Sequence, residues 1–312
     1  MKERKIMPFD KNFVPALRFA VISDIHIDDE DCIEEQRFAK ALDDLKNLCS
    51  SDERYSGFDA LVIVGDFASR GSEIQMRKVK KILDAGLPAD VRLIMTMASH
   101  EYMTDGEENA LRRFDEIFGL TPDTHAVING FDFIAVTTTG GCHFDDKKRK
   151  FISAELEKAA ERDGKKPIFF FQHPHITDTV YGSINWGEDE ITDILINYPQ
   201  IVDFSGHSHA PINDPRSAHQ RHFSAFGTGT LSYFELDEFD KTHGTIPPED
   251  SSAAQFLIVE ADAQGRVRVY LRCARQPLLP VHMGDRRAVE HRFVQIYRRT
   301  LCHGGEAVFW KC

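Results

Sequence analysis

Five short apolar runs, separated by longer amphipathic segments, constrain the fold of this chain more than any other feature. Runs of this length predict buried strands. Apolar residues recur at helical spacing between them, as in 38–48 and 74–83. This alternation of strands and helices predicts an α/β layer architecture. The five runs are 17–23, 60–64, 91–97, 167–171 and 201–204.

Local signals also predict three ends of two helices. Ser72 and Gln75 form a capping-box pattern, which indicates a helix start. Gly86 and Gly119 follow helical apolar patterns, and each is expected to act as a helix C-cap.

The later part of the chain carries signals for β-hairpins. Asn129-Gly130 lies between two apolar runs, which is the strongest short hairpin signal in the sequence. A second hairpin is predicted over 255–271, and 237–252 is predicted to be an exposed polar loop. Antiparallel pairs mixed with strand–helix–strand units favour two sheets over one doubly wound sheet. No clear periodicity follows residue 275.

Composition limits the partners that the chain is expected to have. The formal net charge is −12, which argues against a nucleic-acid partner because phosphate backbones attract basic surfaces. No stretch approaches the roughly 20 apolar residues that span a bilayer, so no membrane association is expected. The six cysteines show no CxxC pairing, which favours reduced thiols and a cytoplasmic location. Protein partners and the oligomeric state stay open.

All five apolar runs lead into side chains that can bind metal ions. Ligands bind beyond the carboxyl ends of strands in open α/β sheets, so these side chains could converge in one cleft. Residues at i and i+2 of an extended chain point the same way, so the Asp-x-His and His-Ser-His motifs could each present two groups together. In chain order the side chains are Asp24 and His26, Asp66, Ser99 and His100, His173 and His175, and His207 and His209.

Each of these fragments also has a structural explanation when it is taken alone. Asp24 could be a turn residue, Asp66 a helix cap, and the final histidine pair could be loop residues. The complete set, in this order and at strand ends, favours a metal centre. Mixed carboxylate and imidazole ligands suit Mn, Fe or Zn better than Ca or Mg. Two such ions about 3.5–4 Å apart can clamp both reacting oxygens of a phosphoryl displacement.

The ordered motifs D-x-H, G-D, H-E, a later His and G-H-x-H resemble those of the calcineurin-like metallophosphoesterases over about 17–235. The resemblance implies a four-layer αββα sandwich, in which two mixed β-sheets pack face to face and helices flank them. We place the metallophosphoesterase domain at 1–275, with 276–312 as a C-terminal extension packed on it. The resemblance also implies a hydrolase that cleaves phosphoric esters with two transition-metal ions.

The metal ligands of the family carry over residue by residue. Asp66 matches the carboxylate that bridges both ions. Ser99 stands where the family has an Asn ligand, and its shorter hydroxyl is a weaker ligand, so the second site is expected to be underfilled. The resemblance assigns Asp24, His26, Asp66 and His209 to one ion, and Asp66, His173 and His207, with Ser99 at the Asn position, to the other.

The resemblance also implies a mechanism. A metal-bridging hydroxide attacks phosphorus, Asp66 bridges the ions, and His100 protonates the leaving-group oxygen, a role that imidazole can fill near neutral pH. Substrate contacts are expected from His175, if the chain stays extended there, and from Tyr233. A polar loop over 180–189 could cover the cleft.

Two questions of function stay open at this stage. The substrate is expected to be a small phosphorylated molecule, and monoester and diester hydrolysis are both possible. The alternative from another class is a degenerate scaffold that keeps the fold and one metal, because Ser99 departs from the family pattern. The rest of the ligand set favours an enzyme. Cys142 has no evident base partner, so no thiol nucleophile is expected.

Overall fold

The computed structural model describes residues 12–235, 253–275 and 293–296. The loop predicted over 237–252 and most of the predicted extension lie outside the described residues. The helices are α1 (Ile33–Ser50), α2 (Glu73–Gly86), α3 (Glu107–Phe118), α4 (Asp146–Arg162), α5 (Ser183–Trp186) and α6 (Thr192–Leu195). The strands are β1 (Pro15–Ile22), β2 (Ala60–Val64), β3 (Arg92–Thr96), β4 (Thr124–Ile128), β5 (Phe131–Ala135), β6 (Ile168–Phe171), β7 (His175–Ile176), β8 (Gly187–Glu188), β9 (Ile201–Ser205), β10 (Ala218–Gln220), β11 (Ser224–Gly227), β12 (Ala253–Asp262), β13 (Val267–Arg275) and β14 (Phe293–Ile296).

The first sheet has the strand order β14-β13-β12-β1-β2-β3. Its β1, β2 and β3 are parallel, and α1 and α2 form the crossovers between them. The other three strands join antiparallel, so the hairpin predicted over 255–271 is confirmed as β12 and β13. Because β14 pairs with β13, part of the segment after 275 belongs to this sheet. The domain boundary at 275 remains a prediction.

The second sheet has the strand order β10-β11-β9-β6-β5-β4. Its four central strands are parallel, and the edge strands β4 and β10 pair antiparallel. The β4–β5 hairpin turns at Asn129 and Gly130, whose φ angles are 51° and 76°. Positive φ at both central residues is what a tight type I′ hairpin requires, which confirms the Asn-Gly prediction. β7 and β8 form a separate two-stranded sheet.

A layer of phenylalanine rings joins the two sheets face to face. Phe19 of β1 is fully buried, and its ring lies 4.7–5.9 Å from four rings of the second sheet, all in edge-to-face geometry. Aromatic pairs prefer this arrangement because the ring edge is positive and the face is negative. The four partners are Phe133, Phe169, Phe171 and Phe204.

Helices cover the outer faces of both sheets. Along β1, Phe19 faces the second sheet while Ala20 and Ile22 pack with the apolar faces of α1, α2 and α3. On the other side, α4 and α6 pack Ile152 and Leu195 against the second sheet. The αββα sandwich implied by the motifs is therefore confirmed. None of the helices in these described ranges combines the length and the hydropathy that crossing a bilayer requires.

The helix ends agree with the sequence signals at two of three positions. Gln75 N donates to Ser72 Oγ at 3.2 Å, and Gly119 ends α3 in the left-handed region with φ 64°. Gly86 is instead the last residue of α2, and Leu87 follows it as the C-cap. A Cβ at Gly86 would lie 2.9 Å from Leu42 Cδ1, so the glycine allows α1 and α2 to pack closely.

We expect Phe19→Ala to lower the free energy of unfolding by about 3–5 kcal/mol, because it empties the centre of the inter-sheet layer. Phe19→Leu keeps most of the volume and should cost about 1–1.5 kcal/mol. Val14→Ala is the matched control, since Val14 is 61% exposed. Denaturant unfolding followed by circular dichroism measures all three variants. Equal losses for Phe19→Ala and Val14→Ala would contradict this account of the core.

Candidate metal centre

The predicted ligands follow strands of both sheets at the same interval. Asp24 and Asp66 come two residues after the ends of β1 and β2, and His173 and His207 come two residues after β6 and β9. The sandwich brings these strand ends to one rim. There His173 Nε2 lies 3.9 Å from Asp24 Oδ1, and His207 N donates to the same oxygen at 3.2 Å.

The backbone at five of the predicted ligands lies in the left-handed region. Non-glycine residues rarely adopt positive φ, and an enforced case costs on the order of 1–3 kcal/mol. This finding corrects the expectation that the Asp-x-His and His-Ser-His segments are extended. Asp24 and His26 share one cluster, whereas His207 and His209 join different clusters. The φ angles are 51° for Asp24, 53° for His26, 48° for Asp66, 70° for His207 and 52° for His209.

The first cluster consists of Asp24, His26 and His209. His209 Nε2 lies 3.0 Å from His26 Nε2 and 3.2 Å from Asp24 Oδ1. Two ligand atoms each about 2.1 Å from one ion lie about 3.0–3.4 Å apart at ordinary coordination angles. The separations in this cluster therefore suit a single transition-metal ion.

The second cluster consists of Asp66, His173 and His207. His173 Nε2 lies 3.0 Å from Asp66 Oδ2, and the side chain is fully buried. Among the described residues, this nitrogen has no hydrogen-bond partner. A buried nitrogen without a hydrogen bond, next to a carboxylate and a second imidazole, fits a metal ligand.

Backbone carbonyls orient one imidazole in each cluster. His209 Nδ1 lies 2.8 Å from Tyr233 O, and His173 Nδ1 lies 2.7 Å from Val64 O. A carbonyl only accepts hydrogen bonds, so Nδ1 is the donor in each ring. In the neutral ring, Nε2 then presents its lone pair to the cluster. Ligating histidines in metalloproteins commonly have such a partner on the second nitrogen.

Burial and charge set the protonation of these groups. Burial raises the pKa of Asp66, but His173 and then His26 hold it below the ordinary range. Burial lowers the pKa of His26 to about 3 and that of His207 to about 4. These two rings are therefore neutral, and their lone pairs can bind a cation beside an ionised carboxylate.

Two glycines make room for the ligands. A Cβ at Gly206 would lie 2.4 Å from Asp24 Oδ2, and a Cβ at Gly65 would lie 2.7 Å from His173 Nδ1. Gly65 also has φ 79°, which other residues rarely adopt. The glycines that precede Asp66 and His207 in the sequence thus allow the close approach expected of them.

His100 and Ser99 lie at the start of a short 3-10 helix (Ser99–Tyr102) after β3. His100 N donates to Asp66 Oδ1 at 3.2 Å, and His100 Nδ1 donates to Ser69 O at 2.8 Å. Its Nε2 lies 3.9 Å from Asp66 Oδ2 on a side chain that is 30% exposed. This nitrogen is therefore accessible at the edge of the clusters.

Glu101 is a supporting residue to which the sequence argument assigned no role. Its fully buried carboxylate accepts hydrogen bonds from the backbone N–H groups of Asp66, Ala68 and Ala98, at 3.0, 3.0 and 2.9 Å. Burial and the neighbouring Asp66 raise the pKa of Glu101 to about 8. Through these bonds Glu101 holds the backbone of Asp66 in its left-handed conformation. The H-E pair after β3 was the available sequence signal.

The two predicted substrate contacts differ in position. Tyr233 is partly exposed, and its ring lies 4.2 Å from that of His209. His175 is 1% exposed, with both ring nitrogens 2.7 Å from serine hydroxyls, those of Ser205 and Ser208. The expectation that His175 faces the cleft is therefore corrected, because β7 turns the ring inward, where it supports the His-Ser-His turn.

Residues from two loops border the second cluster. Trp186, at the end of α5 in the predicted covering loop, places its ring 5.1 Å from that of His207. Cys142 Sγ lies 3.6 Å from His207 Nε2, a contact that the sequence argument did not foresee. The exposed His143 lies near Glu190 and Glu188, at 3.2 and 3.9 Å.

A sandwich of two mixed sheets with paired His/Asp clusters at its rim is the arrangement that the metallophosphoesterase motifs imply. The family model of calcineurin-like phosphoesterases matches residues 17–211. The chain therefore belongs to the calcineurin-like phosphoesterase family, whose members are hydrolases that act on phosphoric esters. No curated protein matches the sequence.

Several solved structures are similar to this chain at low sequence identity, and the first of them shares its fold. Purple acid phosphatase PPD1 from yellow lupin (Lupinus luteus) seeds matches with a TM-score of 0.55 and 12% identity, over 83% of this chain and 52% of that one. The chain thus spans about half the length of the lupin protein. Phosphopantetheinyl hydrolase PptH from Mycobacterium tuberculosis has a TM-score of 0.39 and 14% identity, over 70% of this chain and 92% of that one. A novel archaeal phosphodiesterase has a TM-score of 0.37 and 11% identity, over 90% of this chain and 100% of that one.

We expect Glu101→Ala to lower the free energy of unfolding by about 3 kcal/mol or more, because three buried N–H groups lose their acceptor. Glu101→Gln keeps one accepting oxygen and should lose about 1–3 kcal/mol. Glu116→Ala is the control, since its salt bridge with Arg112 is exposed and should change stability by less than about 0.5 kcal/mol. Denaturant unfolding tests the series. A stable Glu101→Ala protein would show that this carboxylate does not support the Asp66 backbone.

Proposed function

We propose that this protein is a two-metal hydrolase of small phosphoric esters. The observation that supports this most is the contact between the two clusters. His173 Nε2 lies 3.0 Å from Asp66 Oδ2 and 3.9 Å from Asp24 Oδ1, so the carboxylates of both clusters surround one imidazole. Two ions bound this close together can act on the same phosphoryl group.

The proposed ligands divide between the two ions as the clusters do. Asp66 contacts His173 of the second cluster and influences the protonation of His26 in the first, which suits a bridging carboxylate. The donor set favours Mn, Fe or Zn. Such ions, when bound, lower the pKa of a water molecule towards neutrality and stabilise charge on phosphoryl oxygens. The proposed sets are Asp24, His26, Asp66 and His209 for one ion, and Asp66, His173 and His207 for the other.

His100 is the proposed general acid. Ser69 O holds the proton of Nδ1, so Nε2 is the ring atom that can give a proton to the leaving oxygen of a bound ester. Asp66 Oδ2 lies 3.9 Å from this nitrogen. Because the side chain is partly exposed, the product alcohol can leave and the ring can take up another proton from solvent.

Asp66→Asn tests the metal centre without disturbing the backbone, because Asn tolerates the left-handed φ that Asp66 adopts. We expect both ions to bind at least about tenfold more weakly and hydrolysis of p-nitrophenyl phosphate to be lost. Metal content after dialysis and calorimetric titration measure binding. Asp84→Asn is the control, since Asp84 is 61% exposed.

The same experiment distinguishes the scaffold alternative. A wild-type protein that binds metal but shows no metal-dependent turnover of p-nitrophenyl phosphate or its bis ester would favour the scaffold over the enzyme. The ratio of the two rates also measures the preference for monoester or diester. Two ions retained at wild-type affinity in Asp66→Asn would contradict the bridging role.

His100→Ala should keep the metals and lose activity in a manner that depends on the leaving group. We expect about 10²–10⁴-fold loss on alkyl phosphates, because an alkoxide needs a proton, and a much smaller loss on p-nitrophenyl phosphate. Steady-state rates on both substrates measure the difference. His222→Ala, at an exposed histidine, is the control. Equal losses on the two substrates would remove the general-acid assignment.

A further inference from the structure

The proposed general acid lies on the side of the site that the first cluster occupies. The ring of His100 packs edge-to-face against that of His26, with 4.5 Å between the ring centroids. Tyr233 borders the same side, since its ring lies 5.9 Å from that of His26 and 4.2 Å from that of His209. The leaving group of a bound ester, which takes its proton from His100, therefore belongs on this side.

An exposed indole lies on the other side, beside the second cluster. Trp186 is 38% exposed, and its ring meets that of His207 at 83° with 5.1 Å between the centroids. The exposed part of the indole thus borders the second cluster. Small-molecule sites are lined largely by apolar and aromatic side chains, with a few polar groups that fix orientation. An indole beside the candidate ligands is therefore placed where a bound ester can contact it.

The backbone fixes the position of this indole. Trp186 N donates to Gly182 O at 2.9 Å, which closes the turn of α5. The Ser208 hydroxyl donates to Tyr181 O at 3.2 Å, so the segment that carries α5 is attached to the turn that carries His207. A Cβ at Gly182 would lie 2.4 Å from Ser208 Cβ, so glycine lets α5 begin directly against that turn. The position of the indole relative to the second cluster is built into the fold, as a preorganised site requires.

The two sides of the site differ in the part of a phosphoric ester that they can contact. A monoester has one organic substituent, the leaving group, which belongs beside His100. A diester has a second substituent, which stays on phosphorus when the first one leaves. With the leaving group beside the first cluster, this second substituent can extend to the side of the second cluster. An indole there has a substituent to contact in a diester and none in a monoester.

Acidic residues limit the charge that the second substituent can carry. Glu188 and Glu190 follow Trp186 on the same segment, and their side chains are 28% and 34% exposed. The two carboxylates lie 3.9 and 3.2 Å from His143 Nδ1. Like charges repel, so an anionic substituent is disfavoured beside them. A flat uncharged ring suits the indole, because aromatic rings stack on one another.

We propose that Trp186 stacks on the second, planar and uncharged substituent of a phosphodiester, and that this protein therefore prefers such diesters to monoesters. The proposal rests on the proposed two-metal function, which places the phosphoryl group at the clusters and the leaving group beside His100. Trp186 acts on binding and takes no part in breaking a bond. Removing an aromatic side chain that stacks on a planar ligand weakens binding by about 5–100-fold.

Three esters with the same leaving group test the proposal on the full chain with manganese added. p-Nitrophenyl phosphate has no second substituent, methyl p-nitrophenyl phosphate has a small one, and phenyl p-nitrophenyl phosphate has a flat ring. We expect the wild type to give its highest kcat/KM on the phenyl ester. Trp186→Ala should lower kcat/KM on that ester by about 5–100-fold, mostly through KM. This loss should exceed the loss on either other ester at least about fivefold.

Two further variants separate stacking from a general effect on the segment. Trp186→Phe keeps a flat ring and should retain more of the preference for the phenyl ester than Trp186→Leu, which keeps apolar area without a ring. Ile184→Ala is the matched control, since Ile184 lies in the same helix and is 70% exposed. We expect this control to leave the rates on all three esters unchanged. The comparison of the three esters in the wild type needs no variant.

The outcomes distinguish this proposal from the proposed function. Equal losses on the three esters in Trp186→Ala, or a wild type whose kcat/KM on the phenyl ester does not exceed that on the other two, would overturn the role of Trp186. Either result leaves the two-metal function standing. A wild type without metal-dependent turnover of any of the three esters would overturn the proposed function itself, and the diester preference with it.

Discussion

The burial of two carboxylates side by side is the constraint on which this rim of the sandwich depends. Asp24 is 0% exposed and Asp66 is 1% exposed. Removing an ionised group from water costs several kcal/mol unless opposite charge and hydrogen bonds compensate, and each of these carboxylates repels the other. Backbone N–H groups of His207 and His100 donate to them, and imidazoles surround them. Burial lowers the pKa of His173 and of His209, but the neighbouring carboxylates raise both pKa values above the ordinary value, so these two rings supply part of the compensating charge.

The same rim contains most of the strained backbone in the described residues. Five of the seven non-glycine residues with positive φ belong to the two clusters. Strain of this kind persists only where the surroundings over-determine the conformation. Here Glu101 holds the Asp66 turn through three N–H groups, and the buried ring of His175 supports the turn that carries His207. The geometry of the candidate ligands is therefore set by residues outside both clusters.

The difference between local sequence signals and contacts made on assembly explains how much of the molecule could be predicted from the sequence. The strands and the Asn129-Gly130 hairpin are encoded locally, by apolar runs and turn chemistry, so they were predictable. The family motifs likewise located the ligands at strand ends. Cys142 and His207 are 65 residues apart and Glu101 and Asp66 are 35 apart, so their contacts arise only when the sheets assemble. The prediction that the Asp-x-His and His-Ser-His segments are extended was wrong for a related reason. Their left-handed φ angles are imposed by packing that no local sequence pattern records.

Assembly of the site also depends on the layer between the sheets. Each cluster combines ligands from both sheets, because Asp24 and His26 follow β1 while His209 follows β9, and Asp66 follows β2 while His173 follows β6. The distance between the sheets, and hence between these ligands, is set by the phenylalanine layer around Phe19. An ion bound in either cluster would in turn tie the two sheets together at their rim. Ions that bind only the folded arrangement stabilise it by mass action, so the core and the metal centre reinforce each other.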